Sequence, residues 1–161
     1  MMLGMSLPVF TLFHVMISLI GIASGLVVVF GLLTSDPLKN WTTIFLTFTV
    51  ATSVTGFLFP FHGLKPSYVV GIISLIVLAI AILARCVLHM AGAARWIYVV
   101  TAILALYLNV FVLIVQSFLK VPFLHQLAPT QTEPPFAIAQ VVVLAVFILL
   151  GILSVRRFHP V

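Results

Sequence analysis

The sequence predicts an all-α fold, an integral membrane bundle of five transmembrane helices forming a single domain over residues 1–161. Three observations carry that prediction. Hydrophobic residues make up 64% of the chain and charged residues 6%, against about 25% charged in a soluble domain. Seven basic and two acidic side chains are too few to cover a soluble fold of this length. Finally, five apolar stretches come close to the roughly 20 residues that cross the hydrocarbon of a bilayer. The mean hydropathy of +1.41 agrees.

The first stretch spans residues 7–33 and ends at the turn signal Thr34-Ser-Asp-Pro-Leu-Lys-Asn40, where Asp36-Pro37 stops a helix. It lacks a basic leader and an Ala-x-Ala site, and its apolar run is too long for a signal peptide, so it reads as an uncleaved helix. The second runs over 41–60 and is broken by Pro60-Phe-His-Gly-Leu-Lys-Pro66. The third covers 68–89 and meets a weaker break at Ala91-Gly-Ala-Ala94. The fourth covers 96–119. The connection from Lys120 to Pro135 holds Pro122, Pro129, Pro134 and Pro135, which forbid a continuous helix. The fifth covers 136–155. Most connections are short, so consecutive helices should be antiparallel neighbours.

Basic residues set the expected orientation. With the C-terminus in the cytoplasm, Lys39, Arg85, Arg95, Arg156 and Arg157 lie inside, and only Lys65 and Lys120 lie outside. The positive-inside rule therefore favours N-out, C-in. Trp41 and Trp96 then fall at the inner interface, where aromatic anchors belong.

That topology gathers the rare polar residues at the outer end. His14, Ser18, Tyr68, Asn109, Gln116 and Gln140 are the expected lining of an outer pocket, because polar groups in hydrocarbon are costly and often mark sites. The competing reading is packing. Small and polar residues share one face in each helix: His14, Ser18, Gly21 and Gly25 in the first; Thr49, Ser53 and Gly56 in the second; Gly71, Ser74, Ala81, Arg85 and His89 in the third. Ala102, Ala105, Asn109 and Gln116 do so in the fourth, and Gln140, Gly151 and Ser154 in the fifth. Small residues let helix backbones approach, and Ser, Thr, Asn and Gln bond between helices.

His14, His62 and His125 are the candidate metal ligands, since imidazole suits zinc and copper. His14 is the best candidate for an axial haem ligand, although no HxxxH spacing supports it and no second axial residue is evident. Arg85 and Arg95 are candidates for an anionic lipid headgroup, with snorkelling to the interface as the simpler account of Arg85. Cys86, the one cysteine, excludes an intrachain disulfide and reads as a small buried hydrophobe. One Glu and one Asp exclude paired-carboxylate acid–base chemistry. They leave no mid-membrane acid for a proton-coupled transporter. The net charge of +5 is spread singly along helix ends, so no patch exists for nucleic acid.

Three stretches carry a resemblance: Thr52-Ser-Val-Thr-Gly-Phe-Leu-Phe-Pro-Phe-His62, Ala105-Leu-Tyr-Leu-Asn-Val-Phe111 and Leu127-Ala-Pro-Thr-Gln-Thr-Glu-Pro-Pro-Phe136. They resemble a group of small, uncharacterised bacterial membrane proteins. The resemblance implies a bacterial inner-membrane setting and carries no activity and no site residue. The expectations that follow are, in order, an accessory or scaffold subunit or a self-assembling bundle surrounded by lipid, an outer-pocket protein binding a metal, haem, quinone or lipid, and a small channel.

Overall fold

A computed structural model describes residues 3–63 and 65–160, and its regular structure is helical. Six α-helices form among the described residues: α1 (Leu7–Thr34), α2 (Lys39–Gly56), α3 (Pro66–Ile82), α4 (Ala93–Lys120), α5 (Pro122–Leu127) and α6 (Pro134–Arg157). A π-helical turn, Leu83–Val87, prolongs α3. Among the described residues, four helices are long and apolar enough to cross a membrane: α1, α3 with its π turn, α4 and α6. That suggests a membrane protein. α2 has 18 residues and a more polar composition.

Local chemistry sets the ends. Proline occupies the first turn of α1, α3, α5 and α6, where its missing N–H loses nothing and its fixed φ suits the helix. α1 stops at Ser35 in the left-handed region (φ 62°), and the Asp36 N–H donates to Gly31 O at 2.8 Å. The Asp36 carboxylate accepts the Leu38 N–H at 3.1 Å. A Cβ on Gly31 would lie 2.6 Å from Asp36 O, so this reversal requires glycine.

The sequence expectation for the second helix reached residue 60, but α2 ends at Gly56. The Phe57 and Leu58 N–H groups turn to Val54 and Thr55 carbonyls, 3.1 Å each. That tightening ends the helix before Pro60. The polarity of α2 is largely self-satisfied. Thr43, Thr52, Ser53 and Thr55 each donate to the carbonyl four residues earlier, at 2.7–3.1 Å, an arrangement that hides hydroxyls in an apolar medium.

α1 packs on α2, α2 on α3, α3 on α4 and α4 on α1, closing a ring of four. The small-residue faces point into it: Gly21, Gly25, Thr49, Ser74, Ala81, Ala102 and Ala105 are all buried. Tyr98, Phe45, Leu32, Leu78 and Leu106 fill the centre. α6 lies outside the ring against α4 and α1, with only Phe147 and Ser154 buried.

Cys86 corrects an expectation. It is exposed, not buried. At about 100° per residue, Cys86 lies far round the axis from Ala81 on the buried face, so an apolar run did not place it in the core.

Candidate functional site

At the end of the bundle that holds His14, α1 and α2 meet through a short hydrogen bond. His14 Nδ1 lies 2.7 Å from Thr55 Oγ1. The single Thr55 hydroxyl proton is directed at the Ala51 carbonyl, 2.7 Å away. His14 Nδ1, the Thr55 hydroxyl and the Ala51 carbonyl thus form one short hydrogen-bonded chain that ties α1 to α2. The Phe59 ring stands edge-on to the imidazole at 5.2 Å.

Two turns deeper, three helices converge on Gly21. A Cβ built there would lie 3.3 Å from Thr49 Oγ1 on α2 and 3.5 Å from Asn109 Nδ2 on α4. Both atoms are buried with no hydrogen-bond partner among the described residues. One turn further, the track closes. A Cβ on Gly25 would lie 2.6 Å from the Leu106 side chain and 3.0 Å from Phe45.

The remaining outer-pocket candidates face other directions. Tyr68 donates to Phe59 O at 3.3 Å and meets the Phe57 ring at a tilt and the Phe61 ring edge-on, tying α3 to the preceding loop. Gln116 borders a hollow of about 40 Å³ shared with Pro66, Ser67 and Val70 of α3. Gln140 reaches from α6 to Phe111 O of α4 at 3.4 Å, and its Oε1 has no partner among the described residues. Ser18 is half-buried on α1. His14 and Asn109 thus belong to the α1–α2–α4 interior, while Gln116 looks to α3 and Gln140 spans α4 and α6. The six do not line a common chamber.

The three histidines do not converge either. His62 and His125 are exposed, and His125 Nδ1 engages Phe118 O at 3.2 Å. No three His, Cys, Asp or Glu side chains among the described residues gather at metal-binding distance. The segment between α4 and α6 folds back on α4, where Gln131 donates to Val115 O at 2.9 Å. Together His125, Gln131 and Gln140 address a line of α4 carbonyls, Phe118, Val115 and Phe111. Glu133 closes the segment by accepting from the Thr130 hydroxyl at 2.8 Å and the Thr132 N–H at 3.1 Å.

The opposite end holds the arginines. Arg85 lies over the Tyr98 ring, 5.4 Å from its centroid. Its Nη1 and the Tyr98 hydroxyl are buried without a hydrogen-bond partner among the described residues. Arg95 Nη1 donates to Phe158 O at 2.6 Å and Val155 O at 3.1 Å, so it caps the last turn of α6. Arg95, expected to hold a lipid headgroup, is thus committed to the fold through that nitrogen. Arg85 folds inward over an aromatic ring instead of reaching outward.

Sequence reasoning missed a groove between α4 and α6 near this end. Its volume is about 480 Å³, and its walls are apolar, from Tyr107, Leu144 and Phe147 at one end to Val155 and Arg156 at the other. The available signal was Gly151, set one turn from both Phe147 and Val155 in an otherwise bulky helix. No protein-family model matches the chain, and neither the curated proteins nor the solved structures include one with significant similarity to it.

Proposed function

We propose that the chain is a five-span protein of a bacterial inner membrane, N-out and C-in, that acts without catalysis as an accessory or scaffold subunit. It assembles with other membrane helices, its own copies included. The observation that carries this reading is the seat of α6. A helix of spanning length buries only two of its residues and turns Ile138, Val141, Val142 and Leu149 outward. In a bilayer such a face is open to lateral contact, with lipid or with another helix. α2 is read as the fifth span because four of its seven hydroxyls are bonded back to its own carbonyls, which lowers their cost in lipid.

One single-cysteine series tests topology and assembly. Native Cys86 should react with a membrane-impermeant maleimide from the cytoplasmic face only. Thr130→Cys in a Cys86→Ser background should react from the periplasmic face only. Val141→Cys in that background should form disulfide-linked or mixed-disulfide species in native membranes under mild oxidation. Reversed labelling sinks the orientation. A monodisperse monomer with no cross-link at 141 sinks the assembly.

A second reading, a small polar ligand site between α1, α2 and α4, is supported by the unpaired Thr49 and Asn109 atoms facing Gly21. Buried polar atoms without partners cost about 1–3 kcal/mol each, and a bound hydrogen-bonding group offsets that. Asn109→Leu should then abolish whatever small molecule, metal or haem co-purifies. Unchanged content would retire this reading.

A further inference from the structure

We infer that the α4–α6 groove holds one acyl chain of an anionic phospholipid whose headgroup rests on Arg156. The inference rests on the bilayer placement proposed above, and not on the orientation or on lateral assembly.

Shape comes first. The groove of about 480 Å³ is walled by Ile103, Tyr107, Leu144, Phe147, Ile152 and Val155, and Arg156 is its one charged lining residue. Leu144 and Arg156 are twelve positions apart on α6, which at 1.5 Å per residue is about 18 Å. Half the hydrocarbon thickness of a bilayer is about 15 Å. The groove therefore runs from the interface to near the mid-plane, the reach of one chain in one leaflet. A linear aliphatic chain fits these walls, which offer almost no hydrogen-bonding surface.

Gly151 makes the space. A Cβ there would meet only Ile103 Cγ2, at an ordinary 3.7 Å. The glycine is not forced by a close neighbour, unlike Gly25 or Gly31, so its missing side chain leaves open groove instead of packed backbone.

Charge selects the headgroup. Arg156 is exposed and makes no ion pair or side-chain hydrogen bond among the described residues. The two acids of the chain are engaged elsewhere: Asp36 in its own turn, and Glu133 with Thr130 and Thr132 at the other end of the bundle. Arg157 is exposed beside Arg156, and Arg95 caps the same turn. This concentration of positive charge at the mouth of an apolar slot complements a phosphate bearing net negative charge more than a zwitterion. One basic side chain near an anionic surface is worth about a fivefold preference.

Native mass spectrometry of the full chain released from membranes containing equal phosphatidylglycerol and phosphatidylcholine tests this. One phospholipid retained per chain is expected, with the glycerol lipid favoured about fivefold. Arg156→Gln should keep the lipid and lose the preference. Gly151→Phe should lose both lipids while helicity by circular dichroism stays unchanged. Leu144→Trp, blocking the groove at its far end from an already exposed position, makes the same prediction where Gly151→Phe fails to fold. No retained lipid, equal retention of both lipids by the wild type, or a blocked variant that retains lipid like the wild type would each overturn the inference. So would a dimer that the blocking variants split, because the groove would then be a protein contact. Failure to insert into the bilayer at all would strike the proposed membrane placement instead.

Discussion

Gly25→Val is expected to destabilise the bundle at or above the upper end of the range for overpacked cores, about 1–3 kcal/mol. Even the first added carbon would sit 2.6 Å from Leu106 and 3.0 Å from Phe45. Neither neighbour can yield, since both are 1% exposed and close-packed in the ring. The matched control is Gly151→Ala, where the nearest atom is 3.7 Å away. There the alanine should be neutral, or stabilising by about 0.5–1 kcal/mol through its higher helix preference. Thermal unfolding in mild detergent, followed by circular dichroism, reads both. Equal effects at the two sites would mean that α1 does not approach α2 and α4 as closely as described.

Arg95→Met is the second large effect. The methionine keeps an apolar stem but withdraws the donor shared by Val155 and Phe158 carbonyls. Hydrogen bonds from a charged donor contribute about 1.5–3 kcal/mol net, and a helix C-terminus further favours a cation. The loss should be local before it is global. Amide exchange should accelerate over residues 154–159, where the Phe158 N–H bonds to Ser154 O and the His159 N–H bonds to Ser35 Oγ. Arg95→Lys should recover part of the protection, because a point charge reaches one carbonyl and not two. Unaltered exchange in Arg95→Met would show that the last turn of α6 is held by Phe158 packing alone.

Much of the architecture was legible in the sequence. The apolar runs, the prolines and Asp36-Pro37 located four helices of spanning length to within two or three residues. The small-residue stripes pointed correctly inward at Gly21, Gly25, Thr49, Ser74, Ala81 and Ala102. Helical spacing says which side of a helix a residue occupies, but not which neighbour waits there. That is why Gln116 and Gln140, placed in one outer pocket with His14, meet different elements. Cys86 failed for a related reason. Its place in an apolar run was read as burial, but such a run covers every side of the helix, and Cys86 is on an exposed one. The α4–α6 groove was not legible because it depends on the separation of two helices, and no periodicity within either encodes that distance.

The peripheral seat of α6 also bears on how the molecule is made. Residues up to Lys120 already close a ring in which α4 meets α1, so the first four long helices carry their mutual contacts without the last one. A chain emerging from the ribosome in sequence order exposes those four helices before residues 134–157. The last helix then docks on a finished surface, guided at one end by Gln140 against Phe111 O and fastened at the other by Arg95. The ring therefore draws none of its mutual contacts from the last helix, and truncation after Lys120 should leave it folded.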